Sequence, residues 1–270
     1  MGFVSKDLPN PDGAFSPKDI AQSTKIYDRT GEVKLYEIFQ EEKRTVLDLP
    51  QIPSYVRQAT LAAEDKDFYQ HRGFAITGML RALYVNIVHG GTLQGGSTIT
   101  QQLIKNTLLT SEKTFTRKIK ELILAYRIEQ KFTKDQILKL YLNEIPYGAN
   151  AYGIEAAAQT YFGIPARSLS LAQAALLASL PKAPSRLSPY GGSQDELLRR
   201  QSYVLDLMVK AGYLTPDQLK TAQAEKLVFK PKREAIIAPH FVMYVRDLLS
   251  QHFSEQELNA GGLQIRTSLD

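Results

Sequence analysis

Read for its apolar and polar positions, the chain changes character twice. Near its start, Lys25-Ile26-Tyr27 and Val33-Lys34-Leu35-Tyr36 flank Asp28-Arg29-Thr30-Gly31. Two such runs around a loop with glycine where a positive φ is needed predict a β-hairpin. From Pro53 to about residue 226 the pattern is helical. Thr98 with Gln101, Thr133 with Gln136 and Ser170 with Gln173 have the spacing of capping boxes, in which hydroxyl and amide satisfy each other's backbone donors. Thr215-Pro216 opens a further helix, and Gly212 closes the one that begins near Asp195. In the helix from about Thr114 to Phe132, the positions Phe115, Ile119, Leu122, Ile123 and Tyr126 form one broad apolar stripe. Arg117, Glu121, Leu124 and Ile128 form a second stripe, so this helix is expected to run through the middle of the fold. Ile76 to Val88 is an apolar helix bracketed by glycines, fit for core or for a membrane-facing surface. A linker at Val228 to Pro239 precedes an amphipathic helix around His240 to Phe253. Gly261 to Thr267 then alternates like a strand that ends the chain without a partner. The organisation expected is therefore an N-terminal arm and hairpin over residues 1–50, a mostly α domain over 51–226, and a linker over 227–270.

Composition narrows the chemistry. With 270 residues, 43% hydrophobic and 23% charged, the chain is of globular type. The absence of cysteine removes disulfides, thiol nucleophiles and Cys-ligated zinc, and four scattered histidines lack an HxxxH pair. A net charge of +5 suits a pyrophosphate-bearing ligand, an anionic membrane or nucleic acid without choosing among them. The most apolar run, Leu169 to Pro181, falls short of the about 20 residues that span a bilayer, and no secretory signal is visible.

Three segments carry candidate chemistry. In Leu61 to Gly73, Glu64 stands where a helix starting near Ser54 should end, beside Asp65. The helix C-terminus and the neighbouring carboxylate both disfavour the Glu64 anion and raise its pKa, which suits a base for a sugar hydroxyl. Taken alone, the segment reads more readily as a solvated acidic turn. In Gly90 to Asn106, glycines lead into the helix capped by Thr98, whose free N–H groups attract anions, with Lys105 about two turns further on. Neither GxGxxG nor a Walker A loop is present, which speaks against nucleotides; an ordinary loop and capped helix is the plainer reading. Arg117 and Glu121 form either an i,i+4 ion pair or a charged pair in a cleft.

Together these segments resemble the peptidoglycan glycosyltransferases of family 51, found in class A penicillin-binding proteins and monofunctional transglycosylases. Glu64-Asp65-x-x-Phe68-x-x-His71-x-Gly73 matches the first motif, and Gly95-Gly96-Ser97-Thr98-Ile99-Thr100-Gln101-Gln102-x-x-Lys105-Asn106 the second. Arg117-Lys118-x-x-Glu121 matches the third, Tyr141-Leu142-Asn143 with Gly148 the fourth, and Gly153-Ile154 through Tyr161-Phe162-Gly163 the fifth. Ala238-Pro239-His240 through Thr267 looks like the junction into a transpeptidase domain. The resemblance implies a lysozyme-like, two-lobed helical fold with a small N-terminal hairpin. It implies polymerisation of lipid II into β-1,4 glycan at the outer face of the bacterial cytoplasmic membrane, with the growing glycan, the membrane and other cell-wall proteins as partners and no role for nucleic acid. Glu64 would be the base, supported by Asp65, and Ser97 and Gln102 would contact substrate. Lys105 and Arg117, with Lys113 near the phosphates, would neutralise the leaving pyrophosphate. Glu121 would orient them or hold a divalent cation (Mg or Mn), no cofactor being otherwise required; His71 would be structural. The rival is a lysozyme-like peptidoglycan hydrolase or lytic transglycosylase, which also relies on one glutamate but has no pyrophosphate for the basic residues to meet.

Overall fold

Capping and alternation translate into the elements of the computed structural model, which describes residues 23–38, 43–74, 96–109, 114–191, 193–231, 237–254, 257–258 and 261–270. Ile76 to Val88, the glycine loop up to Gly95, and Lys113 lie outside the described residues. Strands β1 (Thr24–Tyr27) and β2 (Lys34–Ile38) form the expected hairpin, with Ile26 opposite Tyr36. Its turn is closed by the Asp28 carboxylate, which accepts from the amides of Gly31 and Val33, with Gly31 at φ 81°.

After β3 (Lys43–Arg44), helix α1 runs Ser54–Glu64, α2 Ile99–Thr107, α3 Phe115–Lys131 and α4 Lys134–Glu144. A hairpin of β4 (Pro146–Gly148) and β5 (Ala151–Tyr152) follows, turning on Ala149 and Asn150, both at positive φ. Then come α5 (Ile154–Tyr161), α6 (Leu171–Ser179), a 3-10 turn at Leu180–Lys182, α7 (Gln194–Lys210) and α8 (Pro216–Ala224). The chain continues through α9 (Pro239–Ser250) to β6 (Gln264–Arg266). The result is the mostly helical, lysozyme-like domain with a small N-terminal hairpin that the sequence led us to expect.

The three capping boxes read from the sequence are formed, at Thr98, Thr133 and Ser170, and Thr215, read only as a helix start, forms a further one with Gln218. Thr98 does more than cap: its hydroxyl also donates to the Gly73 carbonyl at 2.7 Å, stitching the loop after α1 to the start of α2. Thr98→Ala is therefore expected to cost about 1–2 kcal/mol, read as a lower urea midpoint at unchanged m-value.

The core has three parts. The largest joins α1 to α6 around Phe68, Leu103, Ile128, Tyr141 and Leu176. The second packs alanines of α1 (Ala59, Ala62) and α6 (Ala172, Ala175, Ala178) against Val204, Leu205 and Met208 of α7, where small side chains let helix axes approach closely. Helix α6, apolar on nearly every side, is accordingly a buried core helix. The third part is a satellite of Ile26, Leu35, Ile38 and Val242 under α9.

Two expectations are corrected. The last strand does have a partner: β6 pairs parallel to β1, Ile265 beside Ile26, giving the sheet order β2-β1-β6. In α3 the stripe facing the core is the second one: Glu121, Leu124, Ala125 and Ile128 are buried, whereas Ile119, Leu122 and Ile123 are half-buried and Tyr126 is exposed. The charged pair turns inward because Lys118, which bonds Glu121, also reaches Ser97 and Gln101 there.

Candidate active site

The end of α1 and the start of α2 meet in one construction. Glu64 is the last residue of α1, and Asp65 leaves the helix with φ −160°. The Asp65 carboxylate accepts from His71 Nε2 at 2.9 Å and from the Ile99 amide, the first of α2, at 3.0 Å. An anion at a helix N-terminus satisfies both the free N–H and the helix dipole. One turn into α2, Gln102 Nε2 donates to Glu64 Oε2 at 2.7 Å, and Gln102 Oε1 accepts from the Tyr141 hydroxyl at 3.2 Å. Asp65 thus fixes the helix that carries the amide that fixes Glu64.

Burial is the largest cause pushing the Glu64 carboxyl above its ordinary pKa; the Gln102 hydrogen bond and the charges of Arg200 and Lys182 oppose it, and Asp65 adds a smaller upward push. The direction agrees with the sequence argument. The emphasis does not, because Asp65 spends its charge on His71 and on α2.

Glu64 opens into a cleft of about 1090 Å³. Asp65, Lys66, Ser97, Gln102 and Lys105 line its near side, and Lys182, Arg199, Arg200 and Lys210 its far side. The far wall comes from the 3-10 turn and α7, and sequence reasoning missed it. The adjacent pair Arg199-Arg200 was its one local signal, and nothing in spacing says that a helix some 130 residues on faces Glu64. Lys182 is held below the usual lysine range first by burial and then by the charge of Arg200. Cations that repel one another along one wall of a cleft form a site for an anion.

Among the described residues, Arg117 and Glu121 do not line this cleft. Glu121, 1% exposed, receives Arg117 Nη1 at 3.2 Å on one oxygen and Lys118 Nζ on the other. Lys118 also donates to Ser97 Oγ at 2.8 Å and Gln101 Oε1 at 3.3 Å. Arg117 is therefore behind the cleft edge, and Lys118, absent from the expected site, is the cation that reaches it through Ser97. A carboxylate with a cation on each oxygen is a poor ligand set for Mg or Mn, and among the described residues no cluster of three metal-ligating side chains occurs. Lys105 is exposed on the cleft side of α2.

Comparison with known proteins agrees with this architecture. The transglycosylase family matches residues 31–209. Penicillin-binding protein 1A of Rickettsia typhi is 42% identical over 253 residues, covering 92% of this chain and 32% of its own. The Aquifex aeolicus protein of the same name is 40% identical over 269 residues, covering 99% of this chain and 36% of its own. The chain thus spans about a third of the length of these relatives. The crystal structure of penicillin-binding protein 1A from Haemophilus influenzae shares the fold, with a TM-score of 0.52 at 23% identity over 92% of this chain and 27% of that one. The two helix ends that seat Glu64 over a cationic cleft fall within the matched span, and the chain belongs to the transglycosylase family.

Proposed function

We propose that the chain polymerises bacterial cell-wall glycan, joining disaccharide units of lipid II at the outer face of the cytoplasmic membrane. The observation that carries this reading is Glu64, its carboxyl raised in pKa by burial, on the wall of a cleft whose other wall is cationic. Glu64 takes the proton of the acceptor GlcNAc 4-hydroxyl. That oxygen attacks the donor MurNAc anomeric carbon with inversion, and the bond from that carbon to the lipid pyrophosphate breaks. The charge that grows on the departing pyrophosphate is the main electrostatic demand, met by Lys105 with Lys182 and Arg200. Arg117, Glu121 and Lys118 orient Ser97 at the cleft edge, and Asp65 orients the start of α2. Among the described residues no helix is long and apolar enough to cross a membrane, so membrane attachment, like the engagement of other wall-synthesis proteins, belongs to this reading as inference from the relatives.

Incubating the protein with lipid II in detergent and separating products by size tests it. Long glycan is the expected product. Lipid II left intact would overturn the proposal, and preformed glycan cut to short pieces would establish the hydrolase instead.

A further inference from the structure

The hydrogen bonds around Glu64 are lopsided. Gln102 holds Oε2, whereas Oε1 is buried with no protein partner. Two other buried side-chain atoms near Glu64 share this condition: Arg200 Nε on the far wall, a donor on an already charged group, and the neutral hydroxyl of Tyr147, a residue 0% exposed. Tyr147 sits in β4 directly after Ile145 and Pro146, which line the cleft beside Glu64. The Glu64 charge acts on Tyr147 and on Tyr141, discouraging ionisation of both phenols. Nor is Tyr147 free to turn elsewhere: its carbonyl accepts from Tyr161 Oη at 2.9 Å, and the following Gly148 is pressed on Pro184. A phenylalanine would fill the same apolar space, so a phenol kept at a wholly buried position calls for a partner.

Tyr141 shows what such a partner does, since its hydroxyl bonds Gln102, which bonds Oε2. We propose that Tyr147 is the matching positioning residue for the other oxygen, donating to Glu64 Oε1 through one bound water. Two polar groups in a buried site, too far apart for a direct bond, are the usual partners of such a water. With both oxygens tethered the carboxylate plane is fixed, and lone pairs remain for the incoming hydroxyl.

This rests on Glu64 being the base, and it has its own signature. A donor to the ionised carboxylate lowers its pKa, so removing the donor raises it. The base works ionised, so activity climbs as pH rises through that pKa, and in Tyr147→Phe the climb moves to higher pH. The other groups facing Glu64 all remain: Asp65 beside it, Gln102 and Tyr141 from α2 and α4, Lys182 and Arg200 from the far wall.

The test is kcat/KM for glycan synthesis against pH, with melting temperature, in Tyr147→Phe and Tyr161→Phe. Expected for Tyr147→Phe are a fall of about tenfold in kcat and an acid limb raised by about half a unit or more, at unchanged melting temperature. Tyr161→Phe, which loses a bond to the Tyr147 carbonyl, is expected to melt earlier without moving the limb. If Tyr147→Phe does not fold, difluorotyrosine at position 147, a stronger donor, is expected to move the limb down. A wild-type acid limb in either variant at position 147 overturns the proposal. Full activity of Glu64→Gln would instead remove the base on which it rests, so the two failures are distinguishable.

Discussion

Glycan synthesis by Glu64→Gln is expected to fall by about a thousandfold, while the protein folds and melts no earlier than the parent. The first half follows from the role, since removing a positioned general base withdraws a factor of about 10² to 10⁴. The amide keeps the shape and can still meet Gln102, but it cannot accept the acceptor's proton. The second half follows from burial. A carboxyl whose folded pKa lies above its unfolded one binds more protons in the folded state, so stability falls as pH rises from the unfolded pKa through the raised one. Glutamine carries no such penalty. Melting curves at pH 4 and pH 8 should therefore show the parent losing more stability than the variant across that interval. A variant that polymerises at more than about a tenth of the parental rate would remove Glu64 from the role of base.

Gly148→Ala is expected to be the most damaging single methyl in the described core. A Cβ there would stand 2.4 Å from the Pro184 carbonyl oxygen and 2.9 Å from Tyr161 Oη, on a backbone at φ 86°. Neither neighbour has room to give, because Pro184 follows the 3-10 turn of the far wall and Tyr161 Oη is bonded to the Tyr147 carbonyl. A loss of about 3–5 kcal/mol combines backbone strain with overpacking, measured by chemical denaturation. Gly212 is the internal comparison: it has φ 74° with nothing within 4 Å of its would-be Cβ, so alanine there should cost only about 1–2 kcal/mol. Equal losses at the two glycines would show that the contact with Pro184 contributes nothing.

What was legible in the chain is what is decided locally. The hairpin turn at Asp28 to Gly31, three capping boxes and the αL glycine at position 212 all rest on interactions within a few residues of backbone. Glu64 at a helix end beside Asp65 was legible for the same reason. The cationic wall of Lys182, Arg199 and Arg200 was not, because it faces Glu64 only once α6 and α7 have packed on α1. Two apolar stripes on α3 led to the expectation of a helix covered on both sides, whereas the fold turns fully inward only the stripe on which Glu121 gathers Arg117 and Lys118. The partner of β6 lies some 240 residues away on β1, and strand alternation carries no address.

That pairing sets how the domain bears load. β1 and β6 are parallel, so tension applied before Thr24 and after Arg266 pulls the two strands past one another rather than peeling them apart. In that geometry the bonds from the Lys25 amide to the Leu263 carbonyl and from the Thr267 amide to the Tyr27 carbonyl share the force at the same moment. The helices that hold Glu64 lie within the loop that these strands close. A polypeptide tugged at both ends would spend the force on a three-stranded clasp before any of it stretched the catalytic cleft.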